Sequence, residues 1–85
     1  MAQMTKILET KALGNDKTEI SLIRFFDGQV LHFVVPVGRD TFRACLQQWH
    51  KGALVQNAFP DLNANQREML MTGFTEAEMD ELGDN

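Results

Sequence analysis

The chain has 85 residues, of which 44% are hydrophobic and 24% are charged, and these values are typical of a single globular domain, here residues 1–85. No apolar run approaches the ~18 residues of a membrane span, no signal peptide is visible, and one cysteine excludes an internal disulfide. These features predict a cytoplasmic protein that has no membrane partner. A chain this short buries only ~60–65% of its unfolded surface, so we expect a thin core that dimerisation would reinforce.

Charge is distributed unevenly, although the formal net charge is only −4. Residues 1–60 hold seven basic and five acidic side chains, whereas residues 61–85 hold one basic and seven acidic. The acidic end predicts a solvated helix face or, alternatively, a surface that meets a basic partner or imitates nucleic-acid phosphate. General binding to nucleic acid is disfavoured, because Lys and Arg supply most of the affinity for phosphates.

Residues 4–13 fit two secondary structures, because neither strand alternation nor helical spacing groups their apolar side chains better. We prefer a strand, since a β-hairpin alone is unstable in water and needs a third strand or a helix. The Gly and Asn within residues 14–17 predict a turn, because both residue types tolerate positive φ.

Two segments, residues 18–26 and 29–37, are rich in β-branched and aromatic residues and predict a pair of strands. Asp27-Gly28 lies between them and favours a two-residue type I′ hairpin turn. That turn would place Ile20 opposite Val35 and would determine which residues share each face of the hairpin.

Both faces of this predicted hairpin are apolar, whereas a sheet with one solvated face normally alternates apolar and polar residues. Helices are expected to cover the face that holds Ile20, Leu22, Phe26, Leu31, Phe33, Val35 and Val37. The opposite face, which needs the N-terminal segment or a second subunit as its cover, holds Ile23, Phe25, Val30, His32 and Val34. We predict a protein interface at the four apolar residues of this second face: Ile23, Phe25, Val30 and Val34.

Helix signals follow the hairpin. Asp40 is a good N-cap for a first helix that ends near Gly52. This helix has an apolar stripe at positions i, i+3, i+4 and i+7, formed by Phe42, Cys45, Leu46 and Trp49. Residues 54–59 add one or two helical turns, which Pro60 stops.

Two capping boxes define the remaining helices, one in Asn63-Ala-Asn-Gln66 and one in Thr75-Glu-Ala-Glu78. Gly73 between them is suited to the left-handed backbone that ends a helix, and Phe74 is expected to lock the corner. The last helix is strongly acidic. We predict that it offers a second protein interface, formed by Glu76, Glu78, Asp80 and Glu81.

No catalytic, metal or cofactor motif stands out, so we predict a non-enzymatic protein. Cys45 lies on the apolar stripe, and His50 is about 140° further around the helix, which separates the thiol from a potential base. His32, Cys45 and His50 lack the paired close spacings of a structural zinc site. The acidic helix lacks the spacing of a calcium-binding loop. We therefore expect neither a metal nor a cofactor.

Basic residues offer an alternative function. A small patch on one surface, with Trp49 nearby for stacking, would suit a regulator that binds nucleic acid, and its residues would be Arg24, Arg39, Arg43 and Lys51. Scattered surface charges and a core-facing Trp explain the same residues more simply.

One block of the chain carries a recognisable order of motifs. Trp49 precedes Gly52-Ala-Leu-Val-Gln-Asn-Ala-Phe-Pro60, and Arg67-Glu and Thr72-Gly then lead into the acidic helix. The block resembles small uncharacterised proteins of bacteriophage genomes, over about a third of the chain, and it departs from their pattern at Met79, where they tend to carry Trp. The resemblance implies a viral origin and no particular activity. By analogy, short phage proteins are often host-takeover or anti-defence factors.

These patterns together predict an α+β fold, in which a three-stranded antiparallel β-meander is followed by a C-terminal cluster of two to three helices that covers one sheet face. The predicted function is that of a phage-type accessory protein that binds a host or phage protein in the bacterial cytoplasm, with a homodimer as one form. A nucleic-acid-binding regulator is the alternative.

Overall fold

The structure, a computed structural model, describes residues 3–83. Within this range it confirms the α+β fold, with an antiparallel sheet in the order β1-β2-β3 followed by four helices. The strands are β1 (Thr5–Gly14), β2 (Lys17–Arg24) and β3 (Val30–Val35). The helices are α1 (Arg39–His50), α2 (Val55–Ala58), α3 (Ala64–Met71) and α4 (Glu76–Gly83). The segment that the sequence left undecided is therefore a strand, β1.

The turn between β1 and β2 has the left-handed backbone that its composition predicted. Gly14, Asn15 and Asp16 all have positive φ, at 82°, 52° and 56°. The register between the two strands shifts at two places, between Ile7 and Glu9 and between Ala12 and Gly14. These irregularities are typical of edge strands, because they twist the strand and interrupt its ladder.

The loop between β2 and β3 is longer than predicted, so the prediction of a two-residue turn at Asp27-Gly28 is wrong. Residues 25–29 connect the strands, and Ile20 pairs with Phe33 instead of Val35. The physical reason is the bonding of the loop: the Arg24 N–H donates to the Gln29 carbonyl at 3.0 Å, which closes it. The Asp27 carboxylate stabilises this longer loop, because it accepts hydrogen bonds from the Gln29 N–H at 3.0 Å and from the Arg24 side chain at 2.8 Å. A displacement of two residues leaves every strand side chain on its predicted face.

The helices bury one face of the sheet, as predicted. The core contains Ile20, Leu22, Val35, Val37, Phe42, Ala58, Phe59, Leu62 and Leu70. The Phe59 ring lies 5.4 Å from that of Phe42 and meets Trp49 edge-on at 5.9 Å, which ties α1 to the residue that follows α2. Phe26 was assigned to this face, and that assignment is wrong: its side chain is 47% exposed and its ring stacks on Phe74 at 5.1 Å.

Helix ends follow their signals with one exception. The Asn63–Gln66 capping box forms in full, and Thr75 and Glu78 exchange the hydrogen bonds of the second box at 3.0 and 3.3 Å. Asp40 is not the N-cap of α1, because the helix begins at Arg39, which puts Gly38 at the N-cap position without a side-chain cap. Asp40 instead lies in the first turn, where its negative charge interacts favourably with the helix dipole.

Candidate interaction surfaces

The sheet face that points away from the helices is open. Alternation along β2 puts Ile20 and Leu22 in the core, so Glu19, Ser21 and Ile23 face the other way. Their partners on β3 are Val34, His32 and Val30 respectively, all of which are exposed. On β1, Lys6 pairs with Ile23, Glu9 with Ser21 and Lys11 with Glu19. We call this surface the open face.

The open face brings together the four apolar residues predicted as an interface. Ile23 and Val30 are directly paired, and Val30 is 44% exposed. Phe25 follows β2 directly and is 60% exposed, and its N–H donates to the Met4 carbonyl at 3.1 Å, which continues the pairing with the N-terminal chain. Val34 lies two rows away and is 43% exposed. The result is an apolar end near Ile23 and a separate apolar residue at Val34.

Polar side chains separate these two apolar regions. The Ser21 hydroxyl and the His32 ring share a hydrogen bond between Oγ and Nδ1 of 2.8 Å. Lys11 lies opposite Glu19 on the next strand, which is a favourable cross-strand pair of charges. Within residues 3–83, β1 extends the sheet beside β2 and no element covers the open face. The N-terminal segment therefore does not provide the cover that the sequence allowed for.

The predicted acidic interface is divided by the structure. Glu76, Asp80 and Glu81 are exposed on α4. Glu78 instead turns inward, where its carboxylate accepts from Arg24 at 2.6 Å and from the Thr75 N–H and hydroxyl at 3.0 Å. The hydrogen bond from Arg24, followed by the bonds from Thr75, lowers the pKa of Glu78 to about 2. The outward acidic surface of α4 therefore consists of three carboxylates.

Arg24 is the centre of a buried ion-pair cluster. The residue is 5% exposed, and its guanidinium donates in a fork to both Asp27 carboxylate oxygens at 2.8 Å and to the Gly73 carbonyl at 3.1 Å. It also lies 4.6 Å from the centre of the Phe26 ring. Hydrogen bonds to Asp27 and then to Glu78 raise its pKa further. Arg24 therefore links the β2–β3 loop to α4.

The four basic residues of the predicted nucleic-acid patch do not form one surface. Arg24 is buried and neutralised, as described. Arg39 and Arg43 lie on α1 and line a cleft along β1, where the Arg39 Nε donates to the Thr10 hydroxyl at 3.3 Å. Lys51 follows the other end of α1, about 18 Å along the helix axis from Arg39.

The cleft along β1 was missed at the sequence level. Its walls are the outer side of β1 and the adjacent side of α1, formed by Ile7, Leu8, Glu9, Thr10, Lys11, Ala12, Arg39, Arg43 and Leu46. The only available signals were a segment, residues 4–13, that fitted both a strand and a helix, and two arginines four residues apart on a predicted helix. Neither signal indicated that the two elements would lie side by side.

The residues weighed for catalysis or metal binding lie apart. Cys45 is half-buried against the core, and burial, with a smaller effect of Asp61, raises the pKa of its thiol, which makes it a weak nucleophile. His32 bonds to Ser21, whereas His50 bonds to Gln3 at 3.2 Å. Among residues 3–83, no group of three or more metal-ligating side chains is close enough to hold an ion.

A small pocket of about 270 Å³ lies beside the end of α1, lined by Trp49, residues 52–56 and Met71. Leu54 at this pocket is 60% exposed. Its walls are mainly apolar and no charged side chain lines it, so they define neither a reaction nor a particular ligand.

Comparison of the chain with known protein families, with curated proteins and with solved structures finds no match. In the part of the chain that the structure describes, no helix has the length and apolar character needed to cross a membrane.

Proposed function

We propose that this protein is a small phage-type accessory factor that acts, without catalysis, by binding another protein chain through its open face. The observation that carries this proposal is the exposure of Phe25, Val30 and Val34 on the sheet surface that the helices leave uncovered. The phage-type assignment is supported by the resemblance of residues 49–79 to small bacteriophage proteins. Host takeover or interference with a host defence is the corresponding role.

Energetics favour a partner at this surface. Complete burial of a Val or Phe side chain contributes ~1.5–3 kcal/mol, and folding leaves a large part of that contribution unused at Phe25 and Val30. A partner that covers the apolar end of the open face removes this surface from water. Exposed apolar patches rimmed by polar residues are typical of protein-binding sites.

The polar residues of the open face would orient the bound partner. The Ser21 hydroxyl and the Nδ1 of His32 bond to each other at the centre, so a partner that covers them needs to supply a hydrogen bond only to the second ring nitrogen of His32. Lys11 and Glu19 at the next row offer one charge of each sign to a partner. This arrangement suits an interface with an apolar anchor region and a polar margin.

A homodimer is the simplest form of this interaction. Two open faces related by a two-fold axis would pack as a β-sandwich with the sheets ~10 Å apart. Such packing would thicken the core of a chain whose own core is small. Binding to a host protein through the same face is the other form, and both forms require the same apolar residues.

The test compares Val30→Lys with a control variant, Leu54→Lys. The control places the same charge at an exposed apolar residue that lies outside the open face, at the start of α2. Sedimentation velocity at high micromolar concentration measures self-association, and capture from a bacterial host lysate measures binding to another protein. We expect Val30→Lys to abolish whichever interaction the wild type shows, and Leu54→Lys to preserve it. A wild type that neither self-associates nor captures a protein refutes the proposal, as does equal loss in both variants.

The nucleic-acid alternative has less support, because Arg24 is buried and Lys51 lies far from Arg39. A gel shift with duplex and single-stranded DNA at low salt tests it, since even nonspecific binders register under those conditions. A shift that disappears in Arg43→Glu would favour the alternative over the open-face proposal.

A further inference from the structure

The outer edge of β1 is an unpaired strand edge. β1 lies at the end of the sheet order and pairs only with β2. At its start, the Met4 N–H donates to the Met71 carbonyl at 2.7 Å. Beyond Met4, no hydrogen bond among residues 3–83 joins the backbone of β1 to an element other than β2. An edge of this kind presents a row of backbone donors and acceptors to a further strand.

The irregularities of β1 limit what this edge can accept. Register shifts lie between Ile7 and Glu9 and between Ala12 and Gly14, which leaves two regular portions, residues 5–7 and the longer residues 9–12. Four residues span about 13 Å at ~3.3 Å each. The edge therefore suits one short extended segment and disfavours the long flat pairing that leads to aggregation.

The cleft beside this edge is positively charged. Lys11, Arg39 and Arg43 line it against a single carboxylate, that of Glu9. The ion pairs of the described residues involve Arg24 only, so Arg39 and Arg43 hold their charge without a carboxylate partner. A segment with acidic side chains would complement these charges, and each arginine presents a planar fork that matches a carboxylate.

Strand alternation says which side of the guest segment must be acidic. Thr10 and Ala12 pair with the core residues Ile20 and Thr18, so their side of the edge faces α1, and Thr10 already contacts Arg39. A guest residue opposite either position points towards the arginines. Acidic residues at alternate positions of the guest would therefore meet Arg39 and Arg43 together.

Two other occupants fit less well. A second copy of this chain paired edge to edge would bring Arg39 and Arg43 against their own counterparts, which is repulsive. A nucleic acid would make no use of the free backbone edge, and the net charge of −4 opposes its approach.

We infer that the outer edge of β1 takes up a short extended segment of a partner protein as a fourth strand, and that Arg39 and Arg43 select segments with acidic side chains at alternate positions. This is binding by β-strand addition, in which backbone hydrogen bonds give affinity and side-chain sites give specificity. The site adjoins the open face, with which it shares Glu9 and Lys11, but Arg39 and Arg43 lie on the α1 side of the sheet. It does not depend on the function proposed for the open face.

The test uses three synthetic eight-residue peptides with the full-length protein. One alternates Glu with Val, a second alternates Lys with Val, and a third is the Glu peptide with a central Pro, which cannot donate a ladder hydrogen bond. Titrations followed by amide NMR are expected to show the Glu peptide shifting residues 9–12 and 39–46. The Lys and Pro peptides are expected to bind at least tenfold more weakly.

Matched variants separate the cleft from general charge effects. Arg43→Glu and Lys51→Glu make the same charge change at exposed positions on or next to α1, but only Arg43 lines the cleft. We expect at least a tenfold loss of Glu-peptide affinity in Arg43→Glu and less than a twofold loss in Lys51→Glu. Val30→Lys, on the open face, is expected to leave peptide binding unchanged.

Several outcomes overturn the inference: absence of Glu-peptide binding, equal binding of the Lys or Pro peptide, equal loss in the two charge variants, or shifts confined to the open face. A single-stranded oligonucleotide that binds the cleft more tightly than the Glu peptide would also overturn it, because that result would identify a general anion site.

Discussion

The two faces of the sheet differ in burial although the strands that form them have the same apolar character. On β2, Ile20 and Leu22 are fully buried, whereas Ile23 on the same strand faces the open side. On β3, Val35 is fully buried and Val34 beside it is 43% exposed. β-propensity alone therefore does not distinguish a core residue from a surface one. Helix placement decides which apolar side chains stabilise the fold and which remain for a partner.

The buried face also contains polar side chains, and each is satisfied. The Thr18 hydroxyl donates to the Val37 carbonyl at 2.8 Å, and Arg24 lies in its cluster with Asp27 and Glu78. No buried side-chain polar atom of the described residues lacks a hydrogen-bond partner. Substitutions on the two faces should therefore separate cleanly, with stability lost on the buried face and binding lost on the open one.

The largest expected effect is at Leu22. Leu22→Ala removes a fully buried side chain from the centre of the core and should lower the free energy of unfolding by about 3–4 kcal/mol. Ile23→Ala, one residue away on the open face, is the control and should cost less than ~1.5 kcal/mol. Urea denaturation followed by circular dichroism measures both. Equal losses would mean that the open face is buried in solution.

Gly73→Ala should have the next largest effect, about 2–3 kcal/mol. Gly73 has a φ of +87°, and a Cβ added there would lie 2.5 Å from the Cβ of Arg24, so backbone strain and a steric clash add together. Gly52→Ala separates the two terms, since Gly52 has a φ of +111° with no atom within 4 Å of the added Cβ. We expect it to cost about 1–2 kcal/mol in the same denaturation experiment. A Gly52 variant as unstable as the Gly73 variant would contradict the close approach of Arg24.

Arg24→Met keeps an apolar stem in place of the buried side chain and removes the guanidinium with its charge. We expect a loss of about 2 kcal/mol, because the carboxylates of Asp27 and Glu78 are still about one-third exposed and recover water when their partner is removed. Arg43→Met, an exposed arginine on α1, should change unfolding by less than ~0.5 kcal/mol. If Arg24→Met leaves the free energy of unfolding unchanged, the cluster does not stabilise the fold.

The same cluster predicts a dependence of stability on acid pH. Hydrogen bonds from Arg24 and then from Thr75 lower the pKa of Glu78 from 4.5 to about 2, so the stabilisation is complete above pH 4.5 and is lost as the pH falls through 2. The melting temperature of the wild type should fall over this pH window. The melting temperature of Glu78→Gln should be lower than that of the wild type at pH 6 and should fall less as the pH is lowered. Asp27, whose pKa Arg24 also lowers, retains part of the slope in the variant. Identical pH profiles for the two proteins would rule out the contribution of Glu78.

The smallest expected effect on stability is at Val34. Val34→Thr keeps the β-branched shape on the open face and should change the free energy of unfolding by less than ~0.5 kcal/mol. Val35→Thr, on the buried face, places a hydroxyl in the core and should cost more than ~1 kcal/mol. Chemical denaturation of the pair at equal concentration gives the cleanest comparison of the two faces.

Much of the fold was readable from local patterns. Alternation assigned most strand residues to the correct face, and Asn63, Gln66, Gly73 and Thr75 marked helix ends that the structure confirms. The hairpin register was not readable, because Asp27 resembles a turn residue locally but bonds to Arg24 and Gln29 in the folded loop. The prediction of Asp40 as the N-cap was wrong because the helix extends two residues further towards its N-terminus than the capping signal indicated, and it begins after Gly38 without a side-chain cap.

By itself, the sequence determined the α+β order, the two apolar faces of the hairpin and the acidic last helix, because these depend on residues only a few positions apart. Only the tertiary structure decided that Arg24 is buried, that Glu78 turns inward and that Arg39 and Arg43 line an open strand edge. Arg24 and Glu78 are 54 positions apart, and Arg39 and Thr10 are 29 apart. Such pairs meet only after the helices pack on the sheet, and no local preference encodes that meeting.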